Sequence, residues 1–474
     1  MNPMGRNITW LLAIIPFAFL LVIIVKFGVP VPYLDAWDFV PLLQKMDAGN
    51  LTLSDIWTLH NEHRLLFPQI IMLGLARLTS WDIRFELGTS VLLATAIFLL
   101  LSRQVLVTAE KLQMPALRWA IPLIGVVVFS IGQYQNWLWG WQLQIFLSVF
   151  GVVAGIVLLG NPPFTWIRFF GAALLGVIAS YSFGNGGVFW LVGFLILWIT
   201  IRPGQERWIR LTVWLFLTGL TMGLYFYHYE RLEEHPPLSL LFSHPLEYLV
   251  YIFKYLGNIC AQYSGRAGFD GGFALLYGFS GVVIMIWAVV MLRRKRPNDL
   301  ETLIPFFGVS LYSIGSAFVV GIGRLGLGAD QAVASRYCTV TAPFWASLVT
   351  ILWILSIKPK SIPKVRSARA AKGAGTTGTV SWHHGAARLL VGVISLLLVL
   401  GSVLALNGVI TMSRNQEVGR NRLVTLPIQP TAGVDYSQLG ALHPRPKIIV
   451  ERFPFLKEHR LTVFRDEPSD TGQR

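Results

Sequence analysis

Residues 7–43 read NITWLLAIIPFAFLLVIIVKFGVPVPYLDAWDFVPLL. The first half, centred on Leu11–Val25, carries no charge and is long enough to cross the hydrocarbon core of a bilayer. It is too long for the core of a signal peptide and has no small-residue cleavage pattern behind it, so it is read as a retained first span. The second half changes character at once: prolines at 30 and 32 break the apolar run, and two carboxylates, Asp35 and Asp38, follow within a few residues. A membrane span delivering the chain into an acidic loop sets the fold class.

The rest of the chain agrees. With 54% hydrophobic and only 13% charged residues, a soluble globular protein is excluded. Apolar runs recur at Gly88–Leu101, Ala120–Ile131, Leu143–Leu159, Phe169–Ser180, Phe189–Ile199, Leu211–Leu224, Phe273–Met291, Leu303–Val320, Thr341–Leu355 and Leu389–Leu406. Together they give an all-α polytopic membrane protein of about eleven transmembrane helices. The formal charge of +15 falls largely in short loops, where Lys and Arg set orientation, so it points to topology and not to nucleic acid. Arg103, Lys111, Arg118, Arg168, Arg202, Arg207, Arg210, the 293–296 cluster and the 358–388 segment thread to one side. That side is the cytoplasm, with the N-terminus inside and the C-terminus outside. The organisation expected is a transmembrane domain over 1–410 with outer loops at 28–85 and 229–271, a flexible cytoplasmic linker at 358–388, and a small extracytoplasmic tail over 411–474. Leu65–Leu78 and Leu246–Tyr263 are read as interfacial or re-entrant helices. Cys260 and Cys338 are too far apart in sequence for a disulfide framework and read as packing residues.

With this orientation the unusual polar residues gather outside. If the chain turns helical after Pro32, Asp35 and Asp38 share one face, and Phe39, Val40, Leu42, Leu43 and Met46 lie against the headgroup boundary. The plainer alternative is that both aspartates cap a solvated helix. His60, Glu62 and His63 are metal-ligand types, but their spacing is not that of a metalloprotease helix, so a hydrogen-bonded loop is preferred to a shared divalent cation. Such a divalent cation is the one cofactor these residues suggest. The tryptophans of GQYQNWLWGWQ read as an interfacial belt, with sugar stacking beside Gln135, Asn136 and Gln142 as the minority reading. Arg324, flanked by glycines, and Arg336 sit at span ends, where snorkelling to headgroups competes with a functional role.

An aspartate shortly after the first span, a long loop, a His-containing turn before an apolar helix, and an aromatic–Asp–x–Arg segment (Trp81–Arg84) entering the second span resemble the GT-C superfamily of membrane glycosyltransferases. Within it the chain is most similar to the protein mannosyltransferase and aminoarabinose transferase branch, most clearly over the first hundred residues. Two departures stand out: the acidic pair is separated by two residues, and His60-Asn61-Glu62-His63-Arg64 replaces the usual His-Pro-Pro turn. The resemblance implies transfer of a sugar from a polyprenyl-phosphate carrier to an extracytoplasmic glycan, lipid or protein acceptor, at the cytoplasmic membrane of a bacterium. On that reading Asp35 is the base, with Asp38 and Glu62 as further catalytic carboxylates. Arg324, Arg336 and Arg64 are the donor-phosphate ligands, and His63, Gln135, Asn136 and Asn185 face the substrate. The rivals are a lipid-linked sugar flippase or transporter and a polysaccharide polymerase.

Overall fold

The computed structural model describes residues 3–230, 240–261, 267–357, 379–427 and 436–465. Among them, nine helices are long and apolar enough to cross a membrane: Asn7–Phe27, Ile83–Lys111, Pro115–Leu138, Gly140–Leu159, Gln205–Phe226, Phe269–Lys295, Pro297–Leu327, Ser335–Ser356 and His383–Val424. The protein is therefore an all-α integral membrane protein; the only described strands form one two-stranded hairpin in the first loop. Two of the eleven expected spans, Trp166–Ser180 and Gly184–Thr200, are shorter apolar helices. At 1.5 Å per residue neither crosses a core of about 30 Å alone.

The bundle has an inside and a lipid-like outside. Trp190, Trp214 and Trp345 are fully buried, whereas Ile14, Val22, Leu92, Leu389 and Leu396 are exposed along their helices. Ser335–Ser356 is almost wholly enclosed. Its α-helical part, Cys338–Ser356, runs unbroken despite Pro343.

The third span is interrupted. After Ala120–Val128 the chain leaves helical geometry at Phe129 and Ser130 and re-forms as Tyr134–Leu138. A break at membrane depth requires that the freed carbonyls find donors. They do: the Gln133 side-chain amide donates to the Val128 carbonyl at 2.6 Å, Trp137 Nε1 to the Ser130 carbonyl at 2.9 Å, and Ser335 Oγ to the Gly132 carbonyl at 2.9 Å. This packing corrects the aromatic belt. Trp137, Trp139 and Trp141 are each at most 5% exposed, because the segment folds inward against residues 335–339 and the last long helix.

A second correction concerns the acidic loop. Leu34–Phe39 forms a 3-10 turn and Val40–Asp47 an α-helix started by Pro41. Its apolar face does not meet headgroups: Phe39, Val40 and Leu43 are buried, with Phe39 against Trp81 at 5.7 Å and Trp141 at 6.5 Å. The interfacial readings of the other two segments correspond to short helices, Leu66–Thr79 and Pro245–Gly257. The latter buries Tyr248, Tyr251, Ile252 and Tyr255.

The C-terminal segment packs directly on the first loop. The last span continues as Leu406–Val424, and the following helix, Pro446–Glu458, returns to the first loop. The Leu34 N–H donates to the Leu442 carbonyl at 2.8 Å and the Thr462 N–H to the Ser80 carbonyl at 2.9 Å. Arg465 pairs with Asp82 at 2.7 Å, His459 with Asp47 at 3.1 Å, and Arg452 with Asp38. The expected linker lies mostly outside the described residues. The second outer loop and the tail fall partly outside them.

Candidate functional site

The first loop is shaped by a small hairpin, Leu59–His60 paired with His63–Arg64, in register Leu59↔Arg64 and His60↔His63. Asn61 takes φ +51° at its tip, a left-handed conformation that asparagine tolerates better than most residues. The tip then projects Glu62 while the strands aim His60 and His63.

Glu62 forms an ion pair with Arg324, the last residue of helix Ile304–Arg324, which brings a distant span end to the loop. His63 Nε2 lies 3.6 Å from the same Glu62 oxygen, and His63 Nδ1 accepts the Gly184 N–H at 3.3 Å. Because Nδ1 accepts, Nε2 carries the proton and points at Glu62. A Cβ on Gly184 would stand 2.9 Å from His63 Nδ1, so only glycine allows this approach. Burial raises the Glu62 carboxyl, but the charges of His63 and Arg324 and the Arg324 hydrogen bond overcome it and hold it down at about 2. Burial pushes His63 down to about 4, with Arg324 and His60 adding to it against the pull of Glu62 and Asp35. The pair is thus an ionised carboxylate beside a neutral imidazole at neutral pH.

Asp35 sits on the other side of the hairpin. His60 lies between the two aspartates, Nε2 3.7 Å from Asp35 and Nδ1 4.0 Å from Asp38, with its ring against Trp141 at 4.9 Å. Burial alone would raise the Asp35 carboxyl; the nearby His60 ring, 3.7 Å away, with the charges of Arg336 and His443, brings it below its ordinary value. Arg336 arrives on the short turn Ser335–Tyr337. Its backbone is clamped, since its N–H donates to Gln135 Oε1 at 3.2 Å and its carbonyl accepts from Asn136 Nδ2 at 2.8 Å. Its guanidinium lies over the Tyr337 ring at 5.1 Å. Among the described residues, it has no carboxylate or carbonyl partner.

These groups line one cavity of about 690 Å³, walled also by Trp139, Gln142, Gln144, Phe183, Asn185 and Tyr225 and by an apolar strip from Val319 to Gly323. His60 and Gln142 line it, and so do six of the residues assigned a catalytic, phosphate-binding or substrate-facing role: Asp35, Glu62, His63, Asn185, Arg324 and Arg336. The other four do not. Asp38 is turned to Arg452 and His60. Gln135 and Asn136 hold the Arg336 backbone, so they act on the cavity through Arg336. Arg64 is almost fully buried, with Nε and one terminal nitrogen each 2.6 Å from the carbonyls of Tyr225 and Trp57 and the other nitrogen bonded to the Tyr227 carbonyl. Each of its three nitrogens donates to a backbone carbonyl, which makes it a strut between the first loop and the end of helix Gln205–Phe226, outside the cavity lining. Among the described residues, no group of three or more His, Cys, Asp or Glu side chains is arranged to hold a metal ion. Sequence reading missed Gln144, which is hidden in an apolar run, and Arg452, which is separated from Asp38 by 414 positions.

No family model, curated protein or solved structure matches the chain.

Proposed function

We propose that the chain is a membrane glycosyltransferase that moves a sugar from a polyprenyl-phosphate carrier to a hydroxyl of an extracytoplasmic glycan, lipid or protein. One observation carries the reading: an ionised carboxylate, Asp35, and the guanidinium of Arg336, which has no carboxylate or carbonyl partner among the described residues, line the same cavity of about 690 Å³. That volume is of the size that takes a small ligand, roughly 300–1,000 Å³.

The chemistry follows from the charges. A sugar phosphate breaks its C1–O bond with the electron pair leaving on phosphate, so the leaving group needs charge stabilisation more than protonation. Arg336 supplies it as a guanidinium matched to phosphate oxygens, and Arg324, paired with Glu62, lines the same cavity. The acceptor oxygen attacks C1 from the far side as its proton passes to Asp35, giving inversion at the anomeric carbon. Asp35 fits this role better than Glu62, whose charge is already committed to Arg324. Arg452 holds Asp38, and His60 stands between Asp38 and Asp35 at 4.0 and 3.7 Å. Glu62 serves to hold Arg324 in place.

The interrupted third span is the feature that favours the flippase reading, since transporters build their sites from broken helices. Here the break is satisfied by protein donors, and the charged groups cluster around the first loop. A carboxylate at the heart of the cavity also separates this reading from an arginine-based polymerase.

Purified protein is to be offered a panel of labelled polyprenyl-phosphate sugars with candidate acceptors, as wild type and as Asp35→Asn. Loss of a general base should slow transfer by about 10²–10⁴-fold. Intact transfer in the variant would remove Asp35 as the base, and translocation of the lipid without bond cleavage would replace the enzyme reading by the flippase.

A further inference from the structure

One wall of the cavity carries polar groups that the charge-based chemistry does not use. Gln142 ends the turn Gly140–Gln142, and Gln144 lies in the first turn of helix Leu143–Leu159; they are 2% and 5% exposed. Neither side-chain amide has a hydrogen-bond partner among the described residues, and the Oε1 atoms of both are buried and unsatisfied. Trp139 beside them, 5% exposed, has a buried Nε1 in the same condition. All three residues line the cavity. Asn185 completes the wall; its Nδ2 reaches Tyr255 Oη only at 3.3 Å.

A buried amide oxygen or indole N–H left without a partner costs roughly 1–3 kcal/mol, a cost that hydroxyls of a ligand or ordered water would offset. An amide offers a donor and an acceptor side by side, and a hydroxyl is likewise both. The wall has no ionisable side chain: the cavity's charged groups, Asp35, Glu62, Arg324 and Arg336, all come from other segments. An ammonium or carboxylate placed against it would meet no counter-charge on that wall.

We propose that Gln142, Gln144 and Asn185, with Trp139, form a subsite for the ring of a neutral sugar, and that the transferred group is an unmodified hexose or pentose and not an amino sugar or a uronic acid. This rests on the reading of the cavity as a sugar-transfer site and adds the class of sugar. The amides hold the ring hydroxyls, and the phosphate end of the donor lies toward Arg336.

The test measures binding and needs no turnover. Saturation-transfer NMR on the full chain, in a detergent without a sugar headgroup, compares methyl glycosides of neutral hexoses and pentoses with those of an amino sugar and a uronic acid. Farnesyl phosphate is titrated separately as the probe of the cationic wall. Gln142→Met and Gln144→Met keep side-chain length while removing the amide. At least one neutral glycoside should bind the wild type more tightly than its charged counterparts. Each variant should weaken that binding about five- to tenfold, the worth of one neutral hydrogen bond, while leaving farnesyl phosphate affinity within about twofold. Unchanged glycoside binding in both variants, or equal binding of charged glycosides, overturns the proposal. Farnesyl phosphate binding without any neutral glycoside binding overturns the subsite and leaves the phosphate reading standing. Failure of both probes overturns both.

Discussion

His63 gives a pH dependence that can be worked out from its surroundings. The ring is 14% exposed, accepts from the Gly184 backbone and is held neutral down to about pH 4, against 6.5 for an ordinary histidine. Above pH 6.5 neither folded nor unfolded chain carries a proton there, and the residue adds no pH dependence. Between 6.5 and 4 the unfolded chain takes up the proton and the folded chain does not, so stability falls as pH falls. At about 1.36 kcal/mol per unit, the loss is roughly 2 kcal/mol at pH 5 and about 3 kcal/mol at pH 4, below which both states are protonated and the cost stops growing. Glu62 works in a lower window: its carboxyl is depressed to about 2 from 4.5, so the stability it contributes is full above pH 4.5 and lost toward pH 2. In His63→Gln the amide can still accept from Gly184 but cannot titrate. Unfolding free energies by detergent titration at pH 7 and pH 5 should therefore converge: the variant loses about 2 kcal/mol less than wild type over that interval. Parallel pH dependences in the two proteins would refute the reasoning, as would an NMR titration placing His63 near 6.5.

The arginines separate by what they hold. Arg64→Ala leaves three backbone carbonyls, those of Trp57, Tyr225 and Tyr227, without their donor; at roughly 1–3 kcal/mol each the loss exceeds about 3 kcal/mol and should appear as a sharp fall in the yield of folded protein in detergent. Arg452→Ala breaks a pair whose side chains are 23% and 36% exposed. It should cost less than about 1 kcal/mol by the same assay, because the C-terminal segment keeps its other contacts to the first loop.

Much of the fold was legible because apolar length is read directly from composition, and nine of the expected spans fall on helical segments long and apolar enough to cross a membrane. Asp35, Glu62, Arg324 and Arg336 could be singled out as well, since burying charge near a span end is expensive and selects for function, but that they line one cavity could not be read from the sequence. What escaped depends on packing partners far away in sequence. Arg64 looks like a phosphate ligand until its acceptors, carbonyls over 160 positions on, are seen. The tryptophans at 137, 139 and 141 suit a headgroup belt by composition, and only the break after Val128 turns them inward. Gln144 carries no pattern, as one amide at the start of an apolar helix ordinarily passes for an interface residue.

The account rests on Arg336 receiving a lipid phosphate opposite Asp35, and equilibrium binding of a polyprenyl phosphate to the detergent-purified chain measures that step without the sugar or the acceptor. A charge-assisted bond of about 1.5–3 kcal/mol predicts that Arg336→Gln weakens binding by roughly 10- to 150-fold while leaving thermal stability unchanged. Equal affinity in wild type and variant would contradict the account.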